Sequence, residues 1–491
     1  MNGGRDTAPA GARASRAPAA GRRGDASRLI GGSAWVFAGR LVFGASAVLQ
    51  SAVLARLLGP HDLGVFLLVQ GLVLPAAIVG VFGLDLFAMR EVRRDPGDDT
   101  GRDPGSDRAG DSAESACGRL RPAPFLAGAA PLVAAVSSVV AAALAAGLWG
   151  ACASPVAVLE CGTVAVVAPA LWPLVVLSAA QLLLAGVLRA SGRIAEATFL
   201  AGVLSALALL CAISLAYASR VDLGLRAVLA LQVLALACGA ALSTYAVLRA
   251  DPVRGGKPRL ARMARVGPGL MTTQLLALLV SQSDVWVLGF GAPPEVVAQY
   301  GVAARLAQLV SLPHLVLNGV LPPFITAHLA DGRRRELDAL IRASVAAAAV
   351  PALVLGLAFA AFGRDVLALA FGPFYGAAAG CLAILAAGNV VNVACGPCSL
   401  VLILSGRQRV LNRITGANCV VCLAGGALAA SWFGAVGVAC VYAAALSLQG
   451  LASACACTKL VGVGTHAGPS ALARAVRSAA RSGPRGLRGA R

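Results

Sequence analysis

Long apolar runs separated by short polar or Gly/Pro-bearing links fill the chain from about residue 30 to residue 460. A helix needs roughly 20 apolar residues to cross about 30 Å of hydrocarbon. About twelve stretches meet that length, at 31–55, 63–89, 124–149, 163–188, 194–217, 224–248, 267–290, 296–328, 343–362, 377–404, 410–431 and 435–458. Alternating segments of about ten residues, the mark of a transmembrane barrel, do not occur. The pattern predicts an all-α polytopic membrane protein with about twelve transmembrane helices.

Composition supports that reading. The chain of 491 residues is 58% hydrophobic and only 13% charged, where soluble domains carry about 25% charge. A formal net charge of +19 would suggest nucleic acid as a partner, but its distribution says otherwise. With the N-terminus inside, about 35 of the 41 basic residues fall in the tails and alternate links on one side. Arg56, Arg220, Arg226 and Arg364 fall on the other, and Arg40 and Arg305 lie within spans. Cytoplasmic loops retain arginine and lysine, so the expectation is a multi-pass membrane protein with both termini cytoplasmic. The charge reads as topology, with the phospholipid bilayer as partner and no nucleic acid.

Residues 1–28 and 463–491 are low-complexity Ala, Gly, Arg, Ser and Pro, expected as disordered cytoplasmic tails. The acidic, Gly-rich stretch 95–118 is expected as a disordered inner loop. Arg22-Arg23 precedes a span too long for a signal-peptide core, so the first helix is read as retained. The basic segment 250–266 is a cytoplasmic linker dividing an N-lobe, 29–249, from a C-lobe, 267–462.

Thirteen cysteines invite redox or zinc readings, above all Cys395-Gly396-Pro397-Cys398 followed by Cys419 and Cys422. Those chemistries need a βαβ context or polar hairpins, whereas these cysteines fall in apolar spans and read as small buried hydrophobes. No metal site and no cofactor is expected. Cys152 and Cys161, in an outer link, are the one pair placed for a disulfide.

Charge inside hydrocarbon is costly and marks function by default. Arg40 and Arg305 both fall near mid-membrane, counted from opposite faces at about 1.5 Å per residue. Asp284 ends the seventh span and can approach Arg305 across the short Gly-Ala-Pro-Pro turn, with a structural ion pair between them as the alternative. Asp85, near the inner mouth, is read as snorkelling or pairing with Arg90. Gln50, Gln308 and Asn389 are weaker cavity candidates, since buried amides more often join helices. Pro75, Pro169, Pro173, Pro313, Pro351 and Pro397 should kink or break their helices.

Residues 55–75 and 287–313 echo one another: an apolar helix, a Gly/Pro turn, a short polar link and another helix running to a proline. Six spans per half return the second half in the same orientation, which relates the halves by an axis along the membrane normal and puts a site between them.

The segments Leu54–Phe66 (LARLLGPHDLGVF), Gly83–Val92, Ser281–Phe290, Gln299–Pro313, Val320–Ile325 and Ser405–Arg409 resemble the polysaccharide biosynthesis protein family. These are the oligosaccharide flippases of the multidrug/oligosaccharidyl-lipid/polysaccharide exporter superfamily. The resemblance covers roughly 29–462 and is weakest from 120 to 250. It implies two six-helix lobes in a MATE-like V, moving lipid-linked oligosaccharide by alternating access. A position matching Arg305 is similar to one that the lipid II flippase branch uses in its cationic cavity. The resemblance also implies surface-polysaccharide biosynthesis beside a polymerase or glycosyltransferases, with no enzymatic activity of its own.

Arginines bind phosphate through forked hydrogen bonds, so Arg40 and Arg305 are the expected pyrophosphate contacts. Asp284 is the expected point for a coupling proton or sodium ion. A cation-coupled drug or metabolite exporter and a lipid II flippase stay open as alternatives.

Overall fold

The chain is described here from a computed structural model, which covers residues 39, 41–91, 122–153, 160–250 and 260–466. The predicted tail 1–28, the loop 95–118, most of the linker and Arg40 lie outside these residues.

Ten helices are long and apolar enough to cross a membrane, and Leu41–Leu57 is a shorter apolar helix before them. We number them α1 (Leu41–Leu57), α2 (Pro60–Val81), α3 (Pro122–Cys152), α4 (Cys161–Ala190), α5 (Ile194–Ala218), α6 (Leu225–Ala250), α7 (Leu260–Gly291), α8 (Pro294–Val320), α9 (Arg334–Phe371) and α10 (Pro373–Cys395). The stretch Gln408–Val461 breaks at Gly434, whose φ of 57° is not helical. It therefore comprises α11 (408–433) and α12 (435–461). The fold is that of an all-α polytopic membrane protein: among the described residues, ten helices are long and apolar enough to cross, and dividing the last at Gly434 and adding the shorter α1 gives the twelve numbered here.

Both halves are wired alike. In each, the fourth helix is the hub: α4 packs on α2, α3 and α6, and α10 packs on α8, α9 and α12. Each fifth helix carries a π-helical stretch, Phe199–Val203 in α5 and Val421–Gly425 in α11. α2 meets α8, its counterpart, at the centre, and α2 also packs on α7. That is the arrangement expected of repeats related by an axis along the membrane normal.

The lobes touch most closely at the end that carries few arginines. Pro60 and Pro294 each open their helices at the first position, where a missing amide hydrogen costs nothing. A Cβ on Gly64 would lie 1.8 Å from the Pro294 carbonyl oxygen, so α2 and α8 meet there backbone to backbone. Small residues permit such approach in membranes. At the arginine-rich end, α2 stops at Phe82 and Gly83, both with positive φ. The Phe82 amide donates to the Ile78 and Val79 carbonyls, and the chain turns into a short helix, Leu84–Glu91.

Several boundaries differ from the sequence reading. α7 begins at Leu260, inside the segment read as linker, and α9 runs 38 residues rather than 343–362. The eighth span ends at Val320 and a separate helix, Pro322–Ala330, follows. Cys395 and Cys398 do not lie within one continuous helix: Gly396, at φ 79°, breaks the chain between α10 and the helix Cys398–Leu404. The break has a partner. Residues 463–466, assigned to the tail from sequence, fold back under the C-lobe with Val463 and Thr465 fully buried. The Thr465 carbonyl occupies the space a Cβ on Gly396 would need. Cys152 and Cys161 are disulfide-bonded, joining α3 to α4 at the arginine-poor end.

Candidate functional site

The two lobes carry different polar groups to their shared face. In the N-lobe they are mainly amides that satisfy one another, with one buried carboxylate, Asp85. Gln70 of α2 donates to Gln232 of α6 at 2.8 Å. Gln181 of α4 donates to Ser205 at 2.9 Å and to the Leu236 carbonyl at 3.0 Å.

The C-lobe holds charge. Arg305, in the last turn of the α8 segment Pro294–Ala307, is half-buried. Its Nη1 donates to the Ala47 carbonyl of α1, across the lobe boundary, at 3.2 Å. That carbonyl also accepts from the Ser51 hydroxyl. Arg305 makes no ion pair among the described residues, so most of its five donors are left for something else.

Asp284 of α7 is buried and does not pair with Arg305. The Tyr300 hydroxyl of α8 donates to one carboxylate oxygen at 2.9 Å, and the Val285 amide donates to the other at 2.8 Å. Cys422 and Tyr442, from α11 and α12, lie within range of its charge. A small apolar cluster of Val280, Cys419, Cys422 and Ala445 closes around them. A carboxylate is thus held in an apolar pocket by a phenol and an amide, with no cation beside it among the described residues.

The remaining candidates separate. Gln50 donates to the Ala206 carbonyl of α5 at 2.5 Å, inside its own lobe. Asn389 is buried and donates to Leu385 of its own helix. Gln308 is exposed in a 3-10 turn of α8. His314, further along α8, has an Nδ1 with no partner among the described residues. Arg40 lies outside them.

Sequence reasoning missed three contacts across the lobes. Asp85 is buried rather than snorkelling: the Gln274 amide of α7 donates to both its oxygens at 3.3 and 3.2 Å, and its backbone lies against Gly186 of α4. The Arg90 side chain is outside the described set. His61 and Glu295, the second residues of α2 and α8, face each other at 3.1 Å across the pseudo-axis. The echo between 55–75 and 287–313 carried the signal for this pair, because it sets the two positions in register. Trp286 of α7 donates to the Gly71 carbonyl of α2 at 3.0 Å.

Contacts at the arginine-poor end therefore include Gly64–Pro294, His61–Glu295 and Arg56, whose Nη2 donates to the Leu369 carbonyl at 2.6 Å. Beyond Ala307, the packing of α8 and of the helix Pro322–Ala330 is on C-lobe helices.

No protein-family profile matches the chain, and no curated protein matches it by sequence. Its similarity to solved structures is in the fold. It superposes on a multidrug resistance MATE family transporter of the MOP superfamily, in an inward-facing conformation, with a TM-score of 0.60 and 14% identity. That match covers 83% of this chain and 91% of the other. It superposes on the lipid II flippase MurJ, in an inward closed conformation, with a TM-score of 0.62 and 10% identity, over 92% of this chain and 91% of that one. A MATE in complex with MaD3S gives 0.54 and 14%, over 86% and 93%. These likenesses establish a MATE-like fold.

Proposed function

We propose that this protein is a flippase carrying polyprenyl-pyrophosphate-linked oligosaccharide across the bacterial inner membrane by alternating access, for surface-polysaccharide biosynthesis. The observation that carries the reading is Arg305, a guanidinium at the lobe interface whose one bond across it is to a backbone carbonyl. An anionic head entering hydrocarbon loses several kcal/mol of hydration. A charge-assisted fork from Arg305 offsets that loss, and leaving Ala47 for a phosphate exchanges a neutral acceptor for a charged one. The N-lobe amides face a glycan without adding charge. Solved structures of this fold include a flippase and drug transporters, which supports a carrier over an enzyme.

In this reading the arginine-rich end faces the cytoplasm, where glycosyltransferases build the cargo. A polymerase would receive it outside. Arg305→Ala, at normal protein level, should abolish polymer export in cells and lipid movement in vesicles. Unchanged export removes Arg305 from the site. Arg40→Ala is expected to behave the same way.

Asp284 favours a second element, coupling to a proton or sodium ion. A buried carboxylate with only neutral donors leaves its charge for a small cation to balance. Asp284→Asn should therefore remove the ion-gradient dependence of transport, and persistence of that dependence rules the coupling role out. If deletion of the protein causes drug hypersensitivity with surface polysaccharide intact, the cation-coupled exporter reading replaces the flippase.

A further inference from the structure

Pro75 sits inside α2. Proline has no amide hydrogen, so the carbonyl four residues earlier, that of Gly71, has no donor within its own helix. Gly71 is buried in the lobe interface. The replacement comes from the other lobe: Trp286 of α7 donates its indole N–H to the Gly71 oxygen at 3.0 Å. One turn away the same seam is tight, since a Cβ on Gly289 would lie 2.2 Å from the Leu68 side chain. An unpaired carbonyl in an apolar interior is costly, and Pro75 removes the α-helical donor that would otherwise relieve it.

We propose that Trp286 is a positioning residue for the lobes: by donating to the proline-freed Gly71 carbonyl, it weights the lobe equilibrium towards the state in which the α2–α7 seam is closed. Pro75 creates the demand and Trp286 meets it from across the boundary. The bond exists only while α2 and α7 are in contact, so any movement that parts them must leave the Gly71 oxygen bare or hand it to a donor in the opened cleft. Pro75 is then more than a kink, and the seam has a built-in preference independent of the cargo.

The test is amide hydrogen exchange on the full chain in lipid nanodiscs, followed over residues 60–81 and 274–291. Trp286→Phe keeps the ring and loses the donor, and should speed exchange in both segments about fivefold to tenfold, the scale of one buried hydrogen bond. Pro75→Ala restores an in-helix donor for Gly71, so the open seam costs less and exchange should rise in the same direction by a smaller factor. The decisive comparison is Trp286→Phe in the Pro75→Ala background, where the added effect should fall below about twofold. Trp432→Phe, which alters an indole that is 73% exposed and far along the chain from the seam, should change nothing.

Equal acceleration by Trp286→Phe in both backgrounds would mean that the indole acts through packing, and would overturn the proposal, as would unchanged exchange in a folded Trp286→Phe protein. Should Trp286→Phe fail to fold, Pro75→Ala alone decides: faster exchange supports the clasp, and unchanged or slower exchange overturns it.

Discussion

The N-lobe and the C-lobe share a wiring diagram and differ in their chemistry. Around the hub α4, the polar groups are amides and hydroxyls that close on one another, as in the Gln70–Gln232 and Gln181–Ser205 pairs. Around the corresponding face of the C-lobe stand an arginine and a carboxylate, and neither has an ionic partner among the described residues. A duplicated frame can therefore carry different chemistry in its halves: apart from Asp85, which meets Gln274 across the boundary, these N-lobe groups are neutral, and the C-lobe holds both the arginine and the second carboxylate. The fold constrains which helices meet and leaves open which of them carry the chemistry.

The largest test of that asymmetry is Arg305→Ala against the double change Gln70→Leu with Gln232→Leu. The first should bring transport to background in a vesicle flipping assay, while the second should leave most of it. Arg305→Lys keeps the charge and loses the fork, so transport should fall about tenfold rather than vanish. Gly64→Leu comes next. Its side chain has no room against Pro294, so the arginine-poor end should be unable to close, with transport lost while the protein still purifies as a folded monodisperse species.

Stability effects are smaller. Gln181→Leu removes two bonds between N-lobe helices and should cost about 0.6 to 1.7 kcal/mol by thermal or denaturant unfolding, with transport retained. Tyr300→Phe should cost a similar amount, about 1 kcal/mol; unlike Gln181→Leu, it should also alter ion dependence. The smallest effect belongs to His61→Ala. Its pair with Glu295 is 39% and 42% exposed, and exposed pairs contribute about 0.2 to 1 kcal/mol before salt screening.

Much of the frame was legible in the sequence. Run lengths located the spans, and the gap read at 432–434 coincides with the Gly434 break. Thirty-eight residues of α9 were trimmed to twenty because its charged first turns look like a loop to a hydropathy window. Rotation was not legible. α2 and α7 are apolar on almost every face, so nothing in their periodicity says which side meets a neighbour. For that reason chain proximity sets Asp284 opposite Arg305, whereas Tyr300 lies closer in space. The burial of Asp85 is hidden for the same reason: the turn at Phe82–Gly83 that swings it towards Gln274 depends on a positive φ at a phenylalanine, which sequence does not announce.

The Cys152–Cys161 bond between α3 and α4 is also a record of biogenesis. Such bonds form and persist where the surroundings are oxidising, so in the proposed orientation a chain in which this one is closed has delivered that turn across the membrane. Nascent molecules still threading would carry both thiols. A mobility shift on reduction would thereby separate molecules whose α3–α4 turn has crossed from those in which it has not.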